Sequence, residues 1–101
     1  MEYTLFFPTP WDQVNPENDN MDVCLTFPDG RSFSFVVATP ENLQFLMKQE
    51  EKPYLTPGAP MLVVEKLTEE VVSRLMAELA QDEHLLNLYG SDITQTLEEE
   101  R

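Results

Sequence analysis

Residues 21–38 alternate apolar and polar side chains with period two on either side of Pro28-Asp29-Gly30, and this stretch restricts the fold more than any other. A two-residue Asp29-Gly30 turn would oppose Phe27 to Ser32 and set the apolar face of one strand against the polar face of the other. Burial forbids that register, because a one-residue slip moves a strand's whole apolar set to the wrong side. A type I turn with Pro28 and Asp29 in the middle and Gly30 as a left-handed bulge residue opposes Phe27 to Arg31 instead. Leu25 then meets Phe33, Val23 meets Phe35, and Met21 meets Val37, all on one face. The other face carries Thr26, Ser32, Cys24, Ser34, Asp22 and Val36. That division suits a sheet covered by helices on one side and wetted on the other.

The prolines mark the remaining boundaries, and none falls after Pro60. Tyr3-Thr4-Leu5-Phe6-Phe7 reads as a first strand with Tyr3, Leu5 and Phe7 on one face and Phe6 on the other. A helix begins after Thr39 as N-cap, with Pro40 in the first helical position and Glu41 in the positive first turn. Leu43, Leu46 and Met47 are its expected buried stripe. Met61-Leu62-Val63-Val64 has the length and composition of a strand buried on both faces in mid-sheet. A second helix starts after Thr68 and buries Val71, Val72, Leu75, Met76 and Leu79. Its stripe is interrupted at Asp82-Glu83, where Asp82 can cap a separate short piece ending at Gly90; one continuous helix is the alternative. The expectation is an α+β fold: a mainly antiparallel sheet of about four strands with two helices packed on one face, in the order β-β-β-α-β-α. Residues 1–90 form the single compact domain, and 91–101 read as a mobile acidic tail.

An apolar share of 42% supports one ordinary core in a chain of 101 residues. Charge is the unusual property, with 19 acidic residues against six basic ones and a net charge of −13. Residues 1–30 contain six acids and no base, residues 31–66 balance, and residues 67–101 contain nine acids and two bases. Such a field repels nucleic acid and anionic membrane and attracts cationic surfaces. Cys24 is the only cysteine, so the chain forms no internal disulfide and fits a reducing, cytoplasmic setting. The N-terminus has no basic n-region of a signal peptide, and no stretch approaches the length of an apolar membrane span.

Catalytic chemistry finds few anchors. A nucleophile and base would require Cys24 or a hydroxyl beside His84, the only histidine, and nothing in the sequence brings them together. The loop Asn15–Asp22 offers oxygens at alternating positions, as calcium loops do. However, Asn20 and Thr26 occupy the places where an EF-hand needs glycine and glutamate. Asn and Asp bonding their own backbone account for it more simply. Adjacent acids such as Glu69-Glu70 point to different sides of a helix, and the isolated glycines form no phosphate loop. No cofactor or metal is expected. A small hydrolase would need a carboxylate cluster created only by folding.

Recognition remains. Trp11, the only tryptophan, lies in a polar loop where it either anchors a partner or lids the core edge. Trp11, Asp12, Glu17, Asp19 and Asp22 are the candidate partner-binding residues. On the sheet face away from the helices, Phe6, Val36 and either Leu62 or Val64 could form an apolar patch. The expected function is a non-enzymatic acidic protein-binding module that captures a basic partner, as inhibitors and immunity proteins do. It depends on folding gathering the acids from the two ends of the chain onto one surface beside an apolar anchor. The alternative is a self-associating structural or regulatory domain, possible as a homodimer, whose acidity serves only solubility.

Overall fold

A computed structural model describes residues 2–58 and 60–94. The fold is α+β. Its strands are β1 (Thr4–Phe6), β2 (Asn20–Thr26), β3 (Ser32–Ala38), β4 (Met61–Val63) and β5 (Ser91–Asp92), and its helices are α1 (Pro40–Gln49), α2 (Glu69–Ala80) and α3 (Glu83–Tyr89). The sheet runs β1-β2-β3-β4, with β5 also paired to β3.

The central hairpin has the expected register, opposing Leu25 to Phe33, Val23 to Phe35 and Met21 to Val37. Phe27 N donates to Arg31 O at 2.8 Å and Gly30 N to Phe27 O at 3.0 Å, which closes the turn with Gly30 at φ 96°. β1 lies antiparallel to β2 with Leu5 opposite Leu25 and Phe6 opposite Cys24, so Leu5 faces inward and Phe6 outward. The inward face meets Val72, Met76, Leu79 and Ala80 of α2 and Leu86 of α3 in one buried cluster. Hydrophobic burial on this single face organises the domain.

The caps follow the sequence. Thr39 Oγ1 accepts from Asn42 N, and Thr68 Oγ1 accepts from Val71 N. Asp82 ends the run of α2 and caps α3, its carboxylate accepting from His84 N and Leu85 N. The described residues therefore contain three helices rather than two, because an Asp that satisfies two orphan backbone donors starts a new helix more favourably than it continues an old one.

Three further expectations are corrected. The stripe Leu43, Leu46 and Met47 of α1 is only half-buried and adds nothing to the core cluster; the one buried residue of α1 is Asn42. The two helices on the core face are thus α2 and α3. β4 is a strand at the end of the sheet path, parallel to β3 through the α1 crossover, and not a mid-sheet strand buried on both faces. Leu62 pairs with Val37 and packs on the core, whereas Met61 and Val63 are 37% and 53% exposed on the opposite side. Finally, the first residues of the stretch assigned to a mobile tail are tied to the sheet. Ser91 and Asp92 pair with Ser34 and Phe33, Ile93 N donates to Ser32 O at 2.9 Å, and Ser32 N donates to Thr94 Oγ1 at 2.8 Å. The rest of that stretch, residues 95–101, lies outside the described residues.

Gly90 ends α3 for a reason other than left-handed geometry, since its φ is −95° and ψ 149°. A Cβ there would stand 2.6 Å from Leu86 O and 2.9 Å from the Phe35 ring. Gly90→Ala is therefore expected to cost about 2 kcal/mol through overpacking against backbone and a core ring. Gly30→Ala, where nothing lies within 4 Å of a Cβ, should cost about 1 kcal/mol through its positive φ alone. Urea unfolding of both variants checks the order, and a Gly90→Ala variant as stable as the wild type would refute the steric account.

Candidate functional site

Strand parity divides the sheet into an inner face under α2 and α3 and an outer face. Outward on neighbouring strands stand Phe6 with Cys24, then Asp22 with Val36 and Met61, then Val63 with Ala38, which is buried although it has the outward parity. Phe6 is 64% exposed. The expected apolar patch exists, but it is completed by Met61 and Val63. Leu62 points the other way, and Val64 is buried in the core. Asp22 sits exposed within this surface, directly across from Val36 and diagonal to Phe6. Cys24 is half-buried beside them, and burial pushes its thiol above the usual cysteine range against the opposing effect of a hydrogen bond with Ser34.

The start of β2 and the ends of β3 and β4 fall at the same end of the sheet, since Asn20 opposes Ala38 and Ala38 pairs with Val63. Three acid-bearing segments therefore converge there. The first, residues 15–20, is built from Asx turns. Asn15 Oδ1 accepts from Glu17 N and Asn18 N, and both oxygens of Asp19 accept backbone N–H groups, from Asn15 and Asn20. Those bonds engage Asn15 and Asp19, two of the oxygen-bearing side chains of the loop. The second segment starts α1 with Glu41, and its buried Asn42 bonds Asn18 Oδ1 at 3.0 Å and Asn20 Nδ2 at 2.8 Å. The third brings Glu65, Glu69 and Glu70, fixed by Leu67 N donating to Pro16 O at 2.9 Å. Lys66 meets Glu17 at 3.2 Å in an exposed pair of little energetic weight.

The opposite end of the sheet holds the Arg31 cluster. Arg31 Nε contacts Asp29 Oδ2 at 2.9 Å, its Nη1 contacts Glu83, and its guanidinium lies 4.9 Å over the Phe27 ring. Acids from the two halves of the chain thus meet at both ends, with Asp29 and Glu83 partly neutralised by Arg31 at one, and Glu17, Asp19, Glu41, Glu65, Glu69 and Glu70 at the other, where Lys66 pairs with Glu17 and Lys48 lies beside Glu41.

Among the five sequence candidates, Glu17 and Asp19 belong to that acidic end, Asp22 to the outer face, and Asp12 is exposed in a short 3-10 turn, Trp11–Gln13. Trp11 does not project. Its ring packs on the core cluster and meets Phe7 edge-on at 5.0 Å, and its Nε1 is buried without a hydrogen-bond partner among the described residues. Sequence reasoning missed Met61, Val63 and Asn42. Their positions depend on a parallel pairing and on a loop-to-helix contact that leave no local periodicity.

Cys24 faces outward on β2, whereas His84 is exposed on α3, across the sheet; the two form no nucleophile and base pair. Among the described residues, no group of three His, Cys, Asp or Glu side chains is arranged to hold a metal ion, and no helix is long and apolar enough to cross a membrane. No protein-family model, curated protein or solved structure matches this chain.

Among the described residues, two carboxyls lie below the usual Asp range. Asp29 is lowered chiefly by the Arg31 backbone N–H and then by the guanidinium, and Asp92 by the Thr94 hydroxyl and backbone N–H. Both folded values are depressed, so their stabilisation is present above the ordinary carboxyl range near pH 4 and disappears as pH falls through the folded values. Replacing Asp29 and Asp92 by Asn should lower the melting temperature near neutral pH and flatten its decline on acidification. A double variant with the wild-type acid limb would contradict this linkage.

Proposed function

We propose that this chain is a small, non-enzymatic, acidic protein-binding module that captures a basic protein partner, in the manner of an inhibitor or immunity-type protein. One observation carries the reading: an acidic end of the sheet, containing Glu17, Asp19, Glu41, Glu65, Glu69 and Glu70, adjoins an outer face with exposed Phe6, Met61 and Val63. Charge gathered at one end steers a cationic surface into encounter, and apolar area beside it gives the complex a lifetime. The same charge opposes nucleic acid and anionic lipid. A single half-buried thiol suits a cytoplasmic, reducing setting.

Self-association is the second reading, favoured by the exposed apolar face. Against it stands charge. A twofold contact through that face would bring two Asp22 carboxylates out of water, and no strand residue on the face is basic.

Two measurements separate the readings. Sedimentation velocity should give a monomer at every concentration tested; a dimer that Phe6→Asp disrupts would replace the first reading with the second. Capture from the source cell's extract should return a basic protein that is released as salt rises from about 0.1 M to about 1 M, where the screening length shrinks from about 10 Å to about 3 Å. Partners that are neutral or acidic, or retained regardless of salt, would overturn the proposal.

A further inference from the structure

The outer face has an uneven composition that narrows what can dock on it. Asp22 lies one strand from Val36 and two from Met61, with Phe6 on the adjoining diagonal. Same-face neighbours on adjacent strands stand about 5 Å apart, so these apolar groups lie within about 10 Å of the carboxylate. None of the ion pairs formed among the described residues involves Asp22. In the free protein, water solvates the carboxylate at little cost. Any partner that covers Phe6, Val36 and Met61 also removes water from Asp22, and an anion desolvated without a cation is strongly unfavourable.

We propose that the outer sheet face docks a partner segment presenting an arginine or lysine flanked by apolar side chains, with the cation on Asp22 and the apolar groups on Phe6, Val36 and Met61. The inference rests on the protein-binding reading and adds the location and chemistry of the contact. Arginine suits the site better than lysine, because its planar fork pairs both carboxylate oxygens and its weakly hydrated plane lies comfortably beside apolar side chains. A wholly apolar segment would leave the carboxylate unpaired. A second copy of this chain would add another anion to the contact. Both occupants fail on charge complementarity.

Titration of the isotope-labelled chain with two synthetic amphipathic peptides, one of leucine and arginine and one of leucine and glutamate, tests this through amide chemical shifts. With the arginine peptide, the largest shifts are expected at Phe6, Asp22, Val36 and Met61. D22K should weaken binding by about thirtyfold or more, and D22N by about tenfold, as the loss of a desolvated charge pair predicts. F6D should also weaken binding, whereas paired E69K and E70K substitutions should have a smaller effect. The spectra of the free variants report whether each remains folded, and D22N preserves shape where D22K adds bulk. Shifts confined to Glu17, Glu65 and Glu69 would overturn the docking face while leaving the acidic binding module intact. Equal binding of both peptides, or no shift with either, would overturn the docking face outright. The salt-dependent capture of a basic protein fails or succeeds independently of these peptides.

Discussion

The register of the β2 and β3 hairpin is the constraint on which the rest of the molecule depends. Side chains alternate strictly along a strand, so one residue of slip would turn one strand over against the other, sending either Val23 and Leu25 into water with Asp22 drawn into the core, or Phe33 and Phe35 into water with Ser34 drawn in. The turn from Phe27 to Arg31 prevents this by placing Gly30 at a positive φ. Once that register is set, every other element has a defined side to occupy. α2 and α3 cover the apolar face, β1 extends it through Leu5, and β4 presents Leu62 to it. The outer face is what remains, and its composition follows from the same parity.

Much of this architecture is legible locally. Thr39, Thr68 and Asp82 announce helix starts because each side chain satisfies backbone donors within three residues, a relation contained in adjacent sequence. The hairpin is legible because only one register keeps Val23, Leu25, Phe33 and Phe35 on the same side. β4 is different. Met61-Leu62-Val63-Val64 is apolar at every position, so alternation cannot say which residues face in, and a parallel partner reached through a helix gives no turn from which to count. The stripe of α1 misled for a related reason: periodicity reports that a helix has an apolar face and says nothing about what covers it. β5 was hidden because two residues carry no pattern at all.

The candidate site divides in the same way. Acidity at the two ends of the chain is plain in the composition, but its placement depends on contacts between distant segments. Pro16 O accepts from Leu67 N, and Asn42 bridges Asn18 and Asn20. These bonds hold Glu17, Asp19 and Glu41 near Glu65, Glu69 and Glu70 although some fifty residues separate the extremes. Trp11 was the more obvious recognition residue by type. Its ring instead closes the core edge beside Phe7.

Asp22 connects the fold to the proposed function. An outward strand position surrounded by Phe6, Cys24, Val36 and Met61 could accept valine or threonine with better strand propensity, and a carboxylate there contributes nothing to the core. Its physical effect is selective. An apolar patch alone would attract any exposed hydrophobic surface, including another copy of itself, and would expose the sheet to aggregation. A single anion within the patch makes each of those contacts costly and leaves one class of surface, apolar with an embedded cation, for which the cost becomes an attraction. The acidic end of the sheet acts at longer range and favours the same sign. Steering and docking would then discriminate for one partner chemistry through two separate features, one set by loop contacts and the other by the hairpin register.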